Sequence, residues 1–327
     1  MWNDAKRARR WALCCVVLGM LLIPLNAYSQ DVWPSASAIV VSYDKAKELV
    51  DVSEKGVSVL RYNHGFTEVP EGTEAWYKRG GYISRLHGLD GEIITDDYPA
   101  DHPHHRAVSW SWATIEWKGK TADMFWGKGA WTRPVRMVRA ESGVEKGVIE
   151  ADCVWKWDDK IDIVREHVLM EIGTATETGR IIDITLSFTP IVEGLRFCGR
   201  LEAAYSGFTA RMAPGEQQKI LLHSDDEDAQ PRRAWADYSA LFPNVSKRSG
   251  LAIIQHTSNP LYPQKWREYA RLNFFQPLYP GGELIPMPKD KTIILRYRLW
   301  VHRGPANEAK LNTLWDDYND ARDTDSE

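Results

Sequence analysis

Val108-Ser109-Trp110-Ser111-Trp112-Ala113-Thr114-Ile115-Glu116-Trp117 is the stretch on which the fold turns. Val108, Trp110, Trp112 and Thr114 alternate with Ser109, Ser111 and Ala113, so every second side chain is large. A strand sends alternate side chains to opposite faces, and this pattern presses one face into a core. Outward from it, runs rich in Val, Ile, Thr, Tyr and Trp recur at Val57–Tyr62, Ile161–Ile172, Ile181–Phe188, Leu251–His256 and Thr292–Val301. Lys118-Gly119-Lys120 and Asp158-Asp159 carry the turn residues of hairpins. Helical periodicity shows only near the end, where Leu311, Leu314 and Trp315 form a stripe within Asn307–Tyr318. Many strands without alternating helices predict an all-β chain, an antiparallel sandwich with a short C-terminal helix.

The 327 residues are 43% apolar and 26% charged, a globular composition long enough to bury a full core. The net charge of −4 offers no basic field for nucleic acid or an anionic membrane surface. Fifteen Trp stand against eight Phe, and an indole suits both sheet cores and stacking on sugar faces. At the start, Lys6, Arg7, Arg9 and Arg10 precede the apolar run Trp11–Leu25, which is shorter than the roughly 20 residues of a spanning helix. Ala27-Tyr28-Ser29 supplies the small residues of a signal-peptidase site, so Met1–Ser29 reads as an export signal and 30–37 as a linker. One β domain over 38–327 is expected outside the cytoplasm, periplasmic or secreted, with no membrane segment after cleavage. Cys153 and Cys198 are then the cysteines left, and either a disulfide or two buried thiols fits them.

The densest polar cluster is Asp101-His102-Pro103-His104-His105-Arg106. Read as extended chain, it sends His102, His104 and Arg106 to one side and His105 to the other. Grouped imidazoles near neutral pKa are natural acids and bases, so His102, His104 and His105 are the candidate catalytic residues. Arg106 is a candidate to hold a carboxylate or hydroxyl. His-x-His spacing also suits a metal, which Asp101 or His256 would complete, but no second close ligand pair appears and Arg106 adds positive charge. No metal or other cofactor is therefore expected; His102 and His104 are the residues that would hold one. His256 and Asn259, in Gln255-His256-Thr257-Ser258-Asn259-Pro260, end an apolar strand and can hydrogen-bond a sugar ring, and Trp126 can stack on it. The acidic run Asp225–Asp228 lacks calcium-loop spacing and reads as a solvated loop. Phosphate-binding, zincin and serine-hydrolase fingerprints are absent.

Several of these segments together resemble the bacterial PmoA-like family, also labelled "methane oxygenase PmoA". They are Ile83-Ser84-Arg85 through Asp97-Tyr98-Pro99, Asp101–Arg106, Asp123-Met124-Phe125-Trp126-Gly127 and Gly207-Phe208-Thr209-Ala210-Arg211-Met212. Trp235–Ser239, His256–Pro260 and Tyr297–Gly304 add to the match, which runs from about Ala38 to Tyr318. The family is similar to the galactose-mutarotase-like β-supersandwiches, which mostly bind or process sugars in a groove across one sheet. The resemblance thus implies a small-molecule carbohydrate ligand and adds Arg85 and Arg211 to the binding residues Arg106, Trp126, His256 and Asn259. The implied activity is His-mediated proton transfer of glycosidase, lyase or epimerase type. A non-catalytic carbohydrate-binding protein and a metal-dependent oxygenase are the alternatives. N-terminal sequencing of exported protein should find Gln30 first; an intact Met1 in a membrane pellet would overturn the signal assignment.

Overall fold

The computed structural model describes residues 39–223 and 232–320. The signal segment, the linker and the acidic run Asp225–Asp228 lie outside them. Among the described residues the chain folds into three antiparallel sheets and one α-helix, arranged as a sandwich.

The first eight-stranded sheet runs, in spatial order, Ile39–Asp44, Leu49–Glu54, Val57–Asn63, Tyr82–Leu86, Val108–Ser111, Gly207–Arg211, Phe274–Pro277 and Trp266–Tyr269. The second runs Glu216–His223, Trp235–Leu241, Ser249–Gln255, Ile293–Arg303, Gly179–Pro190, Ile161–Gly173, Lys146–Trp157 and Ala130–Glu141. Their facing side chains make one core, to which Tyr62, Val108, Trp110 and Phe208 come from the first sheet and Trp155, Met170, Leu186 and Tyr297 from the second. A four-stranded sheet, Ile285–Met287, Leu195–Cys198, Thr114–Trp117 and Lys120–Ala122, adds Leu195, Phe197, Ile115 and Met287 to the same core.

The alternation read at Val108–Trp117 is present, but the segment is not one strand. Val108, Trp110 and Trp112 enter the core, as period two requires. At Trp112 and Ala113 the backbone leaves the ladder. The Ala113 amide donates to Ser206 Oγ at 2.9 Å, and the Trp112 carbonyl accepts from the amides of Met124 and Phe125. Those bonds satisfy the backbone groups that a strand neighbour would otherwise take. The chain therefore passes from the first sheet into the four-stranded one, and Thr114–Trp117 pairs with Lys120–Ala122.

Both expected hairpin turns are found. Lys118 and Gly119 have φ of 50° and 70°, and Asp158 and Asp159 have 49° and 56°, the left-handed geometry that matches strand twist. The helix spans Glu308–Asp320, with Leu311, Leu314 and Trp315 buried on the predicted stripe and Asn307 Oδ1 capping the Lys310 amide at 2.9 Å. Cys153 and Cys198 are free, buried thiols.

On the outer face of the first sheet, Ser109 and Thr209 share a hydrogen bond of 3.1 Å, and Ser111 and Arg211 lie along the same two strands. All four are buried, and the loops 64–81 and 96–106 reach this face through Arg79 on Ser111 and through Asp101 and His105 on Arg211. This buried polar face positions the candidate site.

Between the sheets, the Glu166 carboxyl accepts from the indoles of Trp110 at 2.7 Å and Trp155 at 2.6 Å. Burial pushes its pKa up to about 7, against the lowering effect of those bonds. A carboxyl raised in the folded state stabilises most below its unfolded value of 4.5 and loses that contribution as pH rises to about 7. Urea unfolding of wild type and Glu166→Gln across pH 4–8 should show the wild type losing about 3 kcal/mol relative to the variant over that window, with no further change above it.

Candidate functional site

The site grows from the segment between Pro99 and Arg106, which is not extended. His102 N–H donates to the Pro99 carbonyl at 3.1 Å, and His105 N–H to the His102 carbonyl at 2.8 Å, giving two successive turns. Pro103, with its fixed φ, occupies the second position of the second turn, where proline is favoured. The turns gather the three imidazoles that an extended strand would have divided. His102 stacks on His105 at 4.9 Å between ring centroids, and His104 meets His105 edge-on at 4.5 Å.

Aromatic walls hold the rings. His104 lies face to face with Trp126 at 3.9 Å, and His105 stacks on Phe274 at 4.5 Å. Tyr205 and Tyr269 complete a cavity of about 220 Å³. Behind it, Arg211 Nη2 donates to both oxygens of Asp101, at 2.8 and 3.0 Å, and Arg211 Nη1 donates to His105 Nδ1 at 3.2 Å. His105 Nδ1 is therefore the unprotonated nitrogen. The Asp101 carboxylate also stands 3.2 Å from His102 Nδ1, an ion-pair distance at an angle outside hydrogen-bond geometry. Burial opposes ionisation of Asp101, but the bonds from Arg211 and the nearness of His102 leave its pKa lowered.

The three histidines are electrostatically unequal. Burial, followed by the charges of His102, Arg79, Arg106 and Arg200, pulls His104 down to about 3. Burial, with His104 and Arg211 next, holds His105 well below the ordinary imidazole range. Both rings are neutral at pH 7, so neither starts as a proton-donating imidazolium. His102 is half-buried and borders the cavity with Asp101 behind it.

Arg106 overturns its expected role. Its side chain is fully buried, with Nη1 donating to the carbonyls of Pro103 (2.8 Å) and His105 (2.6 Å) and Nη2 to that of Tyr77. The guanidinium lies 3.4 Å over the Tyr98 ring, and its Nε faces Asp97 at 3.8 Å. With those donors committed, it positions the loops instead of meeting a ligand. Arg211 is likewise buried and committed to Asp101 and His105.

Arg85 is exposed and opens into a neighbouring groove of about 970 Å³, walled also by Arg61, Asn63, Asp96, Asp97 and Tyr98. His256 and Asn259 do not join the histidines. His256 bonds Ser258 Oγ at 2.8 Å and meets Tyr318 of the helix edge-on. Asn259 exchanges bonds of 2.7 and 2.8 Å with the backbone of Arg296. They fasten the end of strand Ser249–Gln255 to strand Ile293–Arg303 and the helix.

Sequence reasoning missed Arg79 and Asp97. Arg79 is buried and donates to Ser111 Oγ at 3.0 Å and to the carbonyls of His104 and Phe125. Asp97 accepts from Tyr82 O–H at 3.1 Å, and burial pushes it up to about 7 despite the nearby Arg106 charge. An isolated Arg and Asp in loops carry no local signal of such partners. Among the described residues no group of three His, Cys, Asp or Glu is disposed to hold a metal ion.

The model of a family of unknown function, DUF6807, matches residues 49–316, and the chain belongs to that family. Its description names no activity, methane oxidation included. No curated protein matches the chain. A solved structure, "Putative kojibiose phosphorylase from human microbiome", is similar at 8% identity and a TM-score of 0.37. The match covers 89% of this chain and 34% of that one, so the chain spans about a third of its length.

Arg106→Lys keeps the charge but cannot reach three carbonyls from one ammonium. Urea unfolding should show a loss of about 2–3 kcal/mol, the scale of charged hydrogen bonds lost in a buried site.

Proposed function

We propose that the protein is an exported carbohydrate-processing enzyme in which His102, oriented by Asp101, moves a proton at a sugar oxygen or carbon. The observation that carries this reading is the file Arg211–Asp101–His102 at the edge of an aromatic-walled cavity. Arg211 holds the carboxylate, the carboxylate faces Nδ1 of His102, and Nε2 is left to meet a substrate. A carboxylate beside one nitrogen of a histidine steadies the positive charge that develops on the ring as it takes a proton.

Neutral His104 and His105 serve as donors and acceptors around the reacting ring, and Trp126 supplies an apolar face. The cavity, at about 220 Å³, is smaller than the roughly 300–1,000 Å³ of drug-sized pockets and suits a single small ring. Hydrolase, lyase and epimerase chemistry all begin with such a proton transfer. The two neutral histidines also favour a second reading, a carbohydrate-binding protein without turnover.

Incubation with a panel of oligosaccharides and keto sugars, with product detection, tests the first reading. His102→Ala should cut turnover by about 10²–10⁴-fold, the span for a lost acid–base group, and leave the unfolding curve unchanged. Asp101→Asn should also lower turnover. Binding without any product, unaffected by His102→Ala, would favour the second reading.

A further inference from the structure

Trp76 is an exposed tryptophan, 45% accessible, on the short 3-10 turn Ala75–Tyr77. An indole left in water gives up the burial that its large apolar surface would gain, and here its backbone is held with unusual care. The Tyr77 carbonyl accepts from Arg106 Nη2 and from Tyr98 O–H at 3.2 Å. The Tyr77 and Lys78 amides close the turn onto Glu74 and Ala75 at 3.0 and 3.1 Å.

The carbonyl of Trp76 also presses on Gly127, where a Cβ would stand only 2.3 Å from that oxygen. Gly127 has φ +68° and directly follows Trp126, the wall of the histidine cavity. Glycine is required there on both counts, and its lack of a side chain lets the two tryptophan-bearing segments touch. The ring of His104 lies 6.3 Å from that of Tyr77, and the Tyr77 ring 5.7 Å from that of Trp76. A buried cation, a tyrosine hydroxyl and a glycine thus fix the backbone that carries an exposed indole, two ring contacts from His104 of the cavity wall.

We propose that Trp76 is an outer stacking platform for a second sugar ring, making the site selective for glycans longer than the single unit the cavity holds. This rests on the carbohydrate reading. Pre-fixed aromatic surface binds at little further entropic cost, because neither its backbone nor its neighbours must be ordered on contact.

The test is titration calorimetry of wild type and Trp76→Ala with glucose, xylose, cellotetraose, maltotetraose and xylotetraose. The expected result is an affinity for at least one tetrasaccharide about tenfold weaker in Trp76→Ala, with monosaccharide affinity and melting temperature unchanged. Trp76→Tyr should restore most of the loss, because stacking needs an aromatic face and not the indole N–H. Equal tetrasaccharide affinities in wild type and Trp76→Ala would overturn the platform while leaving the carbohydrate reading standing. A change in sedimentation of the unliganded protein on Trp76→Ala would also overturn it, by making Trp76 a contact between copies. If none of the five sugars binds the wild type, the carbohydrate reading falls and the platform with it.

Discussion

A guanidinium taken wholly out of water must find acceptors for its N–H groups, and around Arg106 those acceptors belong to the loops that reach one face of the first sheet. Pro103, His105 and Tyr77 give it carbonyls, Tyr98 gives it a ring face, and Asp97 stands opposite its Nε. Because an unpaired buried cation costs far more than a paired one gains, these loops are tied to one arrangement. The histidine turns, the Trp76 turn and the Asp97 wall all hang from that side chain. Tyr98 itself sits at φ 57°, uncommon for a bulky residue, where its ring lies beneath the guanidinium.

The same burial sorts the chemistry. Three neighbouring imidazoles would be nearly equivalent in water, yet desolvation and the surrounding arginines keep His104 and His105 neutral while His102 borders the opening. Asp101 and Arg211 reach this cluster from opposite ends of the sequence separation, 110 residues apart, and meet on adjacent faces of the loop and the sheet.

The family assignment names no activity, so chemistry has to be argued from the site. The aromatic surfaces around it divide by exposure. Trp110, Trp112 and Trp155 are buried as core, and the first and third bind Glu166. Trp126 is half-buried against His104, and Trp76, next to Tyr77, stands exposed to water. A count of tryptophans cannot separate those roles, since an indole in a core and one on a rim look alike in composition.

What the sequence determined by itself was local. Period-two alternation, left-handed turn residues and a three-residue helical stripe are written in neighbouring side chains, and the sheet-rich fold, both hairpins and the helix at Glu308–Asp320 followed from them. The histidine segment also stood out, because grouped titratable residues are visible without coordinates. The tertiary structure alone decided that Val108–Trp117 serves two sheets, since Ser206 and the Met124-Phe125 turn claim its middle. It alone buried Arg106, enlisted Arg79 and Asp97, and sent His256 and Asn259 to the helix side. Those outcomes depend on which distant groups satisfy a buried donor or acceptor, and a chain read residue by residue carries the donors but not the identity of their partners.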